Sequence, residues 1–210
     1  MTVRRMRAEE RSRVVVTLAR AFQDDPVFNF LVPDPLSQAR AALTFMNAPV
    51  IDAERYHEIW TSSVDDQVVG AAVWLPPGTY PRGSRRETVS VLREMRSVSR
   101  IGSRLGASVR LYGQMDRIHK RLAVPHWYLV LLACDPAWQR QGHGSALLAP
   151  VLQRADEEAV PAYLETQKEE NLPWYRRHGF EVIDEINARG FPRMWAMRRD
   201  SREPDASRVA

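Results

Sequence analysis

Cysteine is nearly absent: Cys134 is the only one in 210 residues. A lone thiol excludes an intrachain disulfide and any multi-cysteine metal site, which makes a reducing compartment, the cytoplasm, the expected location. Long hydrophobic runs are missing as well. The longest aliphatic run, Leu129 to Cys134, falls far short of the roughly 18 residues that signal a membrane span. An Arg-rich start followed by Val14 to Ala19 has the look of a short secretory leader. That run is shorter than the roughly 7 residues such a core needs, and Val15, Leu18 and Phe22 share one helical face, so it reads as an amphipathic helix of the fold. No internal repeat is visible. What is present, 44% hydrophobic and 27% charged residues, is the balance of a soluble globular chain. We expect one domain over residues 1–200 and a polar, Pro-containing, disordered tail over 201–210, in a monomer or homodimer.

The net charge of +4 is unevenly spread, because 82–121 holds 11 basic residues against Glu87, Glu94 and Asp116. A stretch of this sign could face nucleic acid or phosphate. Tyr112 alone of the Phe, Tyr and Trp residues falls among its arginines, so a solvated helical surface is the simpler expectation and a nucleic-acid partner is not expected.

Patterning predicts mixed α and β structure. A strand over Val3–Met6 leads into the first helix, which Asp24-Asp25-Pro26 stops. A second helix covers Ser37–Met46, ending at or before Pro49. Glu58–Ser63 and Gln67–Leu75 read as an antiparallel hairpin. Arg85–Leu122 reads as helical, broken near Gly102 and Gly106. Then follow a strand His126–Cys134, a helix Gly142–Ala159 kinked at Pro150, a strand Ala162–Thr166, a short helix Asn171–His178, and strands over Phe180–Ile186 and Arg193–Arg198. Strand, helix and strand in succession imply a right-handed crossover with parallel pairing.

The stretch Gln139-Arg140-Gln141-Gly142-His143-Gly144-Ser145 joins a buried strand to a helix. Free N–H groups and the dipole at a helix start favour a pyrophosphate, and Arg140 adds positive charge. The stretch is not a P-loop, since Lys followed by Ser or Thr is missing. A dinucleotide fingerprint fails too: Leu147 takes the third glycine position, and seven residues, Asp135 to Gln141, separate strand from glycines. Downstream, Asn171-Leu172-Pro173-Trp174-Tyr175 opens a helix with a good N-cap and a proline in its first turn, and Gly179 suits its left-handed end.

Together, Gln-x-x-Gly-x-Gly after Asp135-Pro136 and Asn171 to Phe180 resemble the two motifs of the GNAT superfamily of N-acetyltransferases. Trp127-Tyr128-Leu129, Gly144-Ser145-Ala146, Val160-Pro161-Ala162 and Leu164-Glu165-Thr166 resemble the relatives of puromycin N-acetyltransferase within it. The resemblance implies an α/β (α+β) fold whose mixed, mostly antiparallel sheet of six to seven strands is flanked by helices and carries a splayed parallel pair that binds CoA. It implies acetyl-CoA as cosubstrate, a small-molecule amine as acceptor, and no metal. Leu132, Ala133 and Cys134 would pair with the pantetheine arm, with a backbone N–H near Cys134 to hold the oxyanion. Gln139, Arg140, Gln141, Gly142, His143, Gly144 and Ser145 would hold the diphosphate. Tyr175 would protonate the leaving thiolate, and Asn171 would cap its helix or reach the pantetheine. As the base we expect Glu165 first, with a water relay as the alternative and His119 and His126 as weaker candidates. Asp24 and Asp25 would face a cationic acceptor. Two alternatives stay open: a non-catalytic CoA-sensing or nucleic-acid-binding module, and a dinucleotide-dependent redox enzyme.

Overall fold

Residues 1–79, 105–187 and 191–202 are described by the computed structural model of the chain. Its strands are β1 (Thr2–Arg5), β2 (Ile59–Val64), β3 (Gln67–Leu75), β4 (Trp127–Cys134), β5 (Ala162–Thr166), β6 (Glu181–Ile186) and β7 (Met194–Arg199). Its helices are α1 (Arg11–Ala21), α2 (Pro26–Leu31), α3 (Pro35–Glu54), α4 (Leu105–Leu122), α5 (His143–Glu157) and α6 (Leu172–Arg177). The strands form one sheet in the order β1-β2-β3-β4-β5-β7-β6. Every neighbouring pair is antiparallel except β4 and β5, which run parallel on either side of the α5 crossover. The sheet is thus mixed and mostly antiparallel, as expected, and not the all-parallel sheet of a doubly wound dinucleotide fold.

The alternation of side chains along a strand divides the interior in two. From the central strand β3, Ala71, Val73 and Leu75 enter a core closed by α1 and α3 through Val14, Leu18, Met46, Val50 and Ala53. Ala72 and Trp74 enter the opposite core, closed by α5 through Leu147, Leu148, Val151 and Ala155. Covered on both faces, β3 is buried from Val68 to Leu75, which accounts for its run of small and β-branched residues. The β2–β3 hairpin closes with Asp65 and Asp66 at φ of 46° and 61°, the two left-handed residues of a primed turn.

Several expectations need correction. Asp25-Pro26 starts a helix as well as stopping one: the Asp25 carboxylate accepts from Phe28 N at 2.9 Å, and Pro26 takes the first position of α2. Asp34-Pro35 repeats the device at the start of α3, which then runs through Pro49 to Glu54. The ring removes one hydrogen bond at about 3 kcal/mol, but Ala48, Val50 and Ala53 around it are fully or almost fully buried. Burial of that face outweighs the break. Gly106 lies inside α4, and Pro150 lies inside α5. The expected helix over 85–104 and its break at Gly102 fall outside the described residues, as does most of the basic stretch. At the C-terminal end, Arg202 N donates to Asp156 at 2.7 Å, so chain expected to be disordered is held at 202; residues 203–210 lie outside the described set.

Candidate active site

The parallel pair is short. β4 and β5 are in register only from Trp127–Ala162 to Leu129–Leu164, whereas β4 stays paired with β3 as far as Cys134 opposite Gly70. Beyond Leu129 the two strands part, and the β4 peptide groups that face β5 have no strand partner. A β-bulge marks the point of departure. Trp74 faces Leu129 and Val73 faces Leu131, so Val130 is an extra residue, and an extra residue bends its strand. The gap holds a cavity of about 360 Å³ reached by Leu132, Ala133, Cys134, Arg140, Glu165 and Tyr175. Burial pushes the Cys134 thiol up to about 11, which keeps it protonated and leaves the backbone as the useful part of this residue.

At one end of the cavity lies the glycine turn. Arg140 and Gly142 have φ of 60° and 88°, a sharp reversal that glycine makes without strain. The first intrahelical hydrogen bond runs from Ala146 N to Gly142 O, so the N–H groups of His143, Gly144 and Ser145 lack helical partners, as at any helix start. Gln139, Arg140, Gly142, Gly144 and Ser145 line the cavity; Gln141 and His143 do not. The glutamines brace the loop itself, Gln139 donating to Cys134 O at 3.2 Å and Gln141 to Ala137 O at 3.1 Å. His143 turns inward. Its Nδ1 sits 2.8 Å from Ser62 Oγ in β2, and both residues are buried. The side chains of Gln141 and His143 thus anchor the turn itself.

The short helix α6 brings Tyr175 to the same cavity. Gly144 allows the approach, since a Cβ there would come within 3.2 Å of Trp174 Cζ2, and Ser145 Oγ lies 3.0 Å from His178 Nε2. The capping role expected of Asn171 is not observed. Asn171 has helical backbone angles, and its side chain makes no cap hydrogen bond, because a 3₁₀ turn over Glu169–Asn171 already leads into the helix; Asn171 instead lines the cavity. Tyr175 is buried beside Phe180, and burial pushes its phenol well above the usual range. It holds its proton at neutral pH, as an acid must.

Glu165 is next to last in β5, on the other side of the gap. Its side chain is only 4% exposed. Burial, the largest influence, pushes its carboxyl up to about 7, against hydrogen bonds from Tyr128 and Tyr163 that pull it down. A carboxylate poised there is matched to a proton-accepting task near neutral pH. His119 and His126 are both buried and lie behind Glu165, outside the cavity lining. Burial lowers both imidazoles, His119 to about 3, and so weak a base takes no proton near neutral pH. The two acids expected to face the acceptor separate as well: Asp25 lines the cavity, and Asp24 is exposed outside it.

Sequence reading missed the bulge at Val130, the buried partners of His143, and the ring of aromatic groups around Glu165. Only the last had a signal, since Tyr163 and Glu165 are two apart on one strand and must share a face. A more open hollow of about 480 Å³ lies outside α5, lined by Arg177, Arg199 and Asp156 among others. Arg199 is committed there to Asp156 by bonds of 2.8 and 2.6 Å. Among the described residues no cluster of His, Cys, Asp and Glu could hold a metal ion, and no helix is long and apolar enough to cross a membrane.

Comparison with known proteins agrees with this geometry. An N-acetyltransferase of Schizosaccharomyces pombe whose function is uncharacterised is 25% identical over 191 residues, covering 86% of this chain and 74% of its own. A Corynebacterium glutamicum structure described as histone acetyltransferase HPA2 and related acetyltransferase superposes with a TM-score of 0.65 at 19% identity, over 98% of both chains. A Drosophila melanogaster polyamine N-acetyltransferase that forms N-acetylagmatine superposes with a TM-score of 0.67 at 16% identity, over 95% of this chain and 99% of its own. At those identities the superpositions show a shared fold. The sequence profile of the Acetyltransferase (GNAT) family matches residues 27–180, which span the splayed pair, the glycine turn and Tyr175, and this chain therefore belongs to the GNAT family of N-acetyltransferases, enzymes that acylate amines.

Proposed function

We propose that the protein transfers the acetyl group of acetyl-CoA to a primary amine of a small molecule, by direct attack with both substrates bound. What supports this most is a single cavity lined by an acid that keeps its proton, Tyr175, and a carboxylate poised to take one, Glu165. The cavity's features fit the cosubstrate: unpaired β4 backbone for an extended amide-bearing arm, and helix-start N–H groups with Arg140 for a diphosphate. Acetyl-CoA supplies the acetyl thioester.

The residues then divide the proton traffic. Glu165 accepts the proton that the amine nitrogen loses as its bond to the acetyl carbon forms. Tyr175 gives its hydroxyl proton to the sulfur as the carbon–sulfur bond breaks. Solvent carries the proton from Glu165 back to Tyr175, so no proton is gained or lost overall. Asp25, which lines the cavity with Phe22, supports a cationic acceptor such as an amine-bearing antibiotic or amino nucleoside. The decisive experiment is a thiol-release assay with acetyl-CoA and a panel of amines: agmatine, a polyamine, an arylalkylamine, an aminoglycoside and puromycin. Amine-dependent release of CoA, with an acetylated product seen by mass spectrometry, is the expected result. Tight CoA binding without transfer to any of them would favour a CoA-sensing module.

A further inference from the structure

The groups that enclose Glu165 have so far served only to explain its burial. They form a cage. The Tyr163 hydroxyl donates to Glu165 Oε1 at 2.9 Å, and the Tyr128 hydroxyl from the neighbouring strand donates to the same carboxylate. His119 of α4 lies with Nδ1 at 3.7 Å from Oε1 and 3.2 Å from the carbonyl oxygen of Met115. Two acceptors around Nδ1 place the imidazole proton there, bonded to the Met115 carbonyl and on the side of the ring toward the carboxylate. Ring contacts lock the set together: His119 lies 4.4 Å from Tyr163 and 4.7 Å from Tyr128, and stacks on His126 at 5.4 Å.

We propose that Tyr163 and Tyr128 are positioning residues for acetyl transfer, which hold the Glu165 carboxylate in its proton-accepting form and direct its remaining lone pairs into the cavity. The inference rests on Glu165 being the base and says how a carboxylate so deeply buried stays usable. Desolvation alone favours the protonated acid, which accepts nothing. Two phenol donors oppose it, because each hydrogen bond is stronger to the carboxylate than to the neutral acid. Among the described residues no formal charge does this work. The groups facing Glu165 are His119 from α4, His126 from the segment before β4, Tyr128 from β4 and Tyr163 from β5 itself. Asp25 and Lys168 also line the cavity, but no charged group contributes to the shift of the carboxyl. The imidazoles are themselves held neutral by burial. The phenols are thus the adjustable part, and they come from the two strands whose parting opens the site.

The test is a titration of the free enzyme labelled with glutamate carrying ¹³C in the side-chain carboxyl, followed by NMR, with the Glu165 signal identified by its loss in Glu165→Gln. In the unsubstituted protein that signal should titrate near neutral pH. In Tyr163→Phe, which removes only the hydroxyl, the midpoint should rise by about one unit, and the low-pH limb of kcat should move with it while the KM for acetyl-CoA stays unchanged. Tyr128→Phe gives the same readout should Tyr163→Phe not fold. A midpoint that does not move in a folded variant, or one at the ordinary glutamate value in the unsubstituted protein, overturns the cage. Undiminished turnover in Glu165→Gln instead overturns Glu165 as the base, whatever the phenols do to its titration.

Discussion

Tyr175 shows how one side chain can be read in two ways. Its ring packs against Phe180 and Trp174, with centroids 5.9 and 4.9 Å away, and that alone is an adequate reason for an aromatic residue on a short helix. Its place in the cavity lining beside the splayed strand is what supports the proposed second role as an acid. The two roles come apart in Tyr175→Phe, which keeps the packing and deletes the transferable proton. Acetyl-CoA affinity, measured by calorimetry, should be unchanged, and turnover should fall at least about tenfold, since general acid help contributes roughly 10² to 10⁴ in rate. Unchanged turnover would leave Tyr175 as a packing residue. The histidines show the converse. By type they are the usual bases, yet burial leaves His119 and His126 poor ones and the glutamate the better.

At the scale of the element, the turn between β4 and α5 is held from behind. His143 reaches Ser62 in β2, Asp135 accepts from Ala137 N at 3.1 Å and pairs with Arg20 at 3.3 Å, and the Asp135 N–H reaches Val69 O at 2.8 Å. These contacts fix the helix-start N–H groups before any ligand arrives, which lowers the ordering needed on binding. His143→Ala should therefore raise the KM for acetyl-CoA several-fold with kcat nearly intact. His143→Asn, which offers a polar atom near the Nδ1 position, should restore much of the affinity. Equal losses in kcat for both variants would point to general destabilisation instead. The legibility of the sequence follows the same division. Gly142, Pro173 and Gly179 announce their turns because each has a local steric reason to be where it is. The turn's inward anchors are invisible, because Ser62 and His143 are 81 positions apart and nothing local predicts their meeting. Pro26 and Pro49 misled in opposite directions. An Asp-Pro pair both stops one helix and starts the next, and an interior proline survives where tertiary burial around it is complete. The bulge at Val130 has no glycine to mark it, so the parting of β4 from β5 had to be inferred from resemblance.

At the scale of the whole molecule, the carboxylate proposed as the base works against the fold. An unfolded chain exposes Glu165 to water with its ordinary value near 4.5, and the folded chain holds it at about 7. Between those values the folded state keeps a proton that the unfolded state has released, so stability falls as pH rises through the window and the full loss is present above it. The neutral isostere removes this dependence. Glu165→Gln should be the more stable protein at pH 8, by something on the order of 1 to 3 kcal/mol, and each kcal/mol should raise Tm by roughly 2–4 °C in a chain of this size. Thermal unfolding followed from pH 8 down to pH 4.5 checks the sign: the advantage of the variant should shrink steadily and vanish near the acid end. A variant less stable than its parent at pH 8 would mean that the carboxylate is held by interactions stronger than its desolvation. That outcome would place Glu165 among carboxylates whose contacts stabilise the fold, as those of Glu10 with Arg4 do, rather than at a site where stability is given up for a proton acceptor.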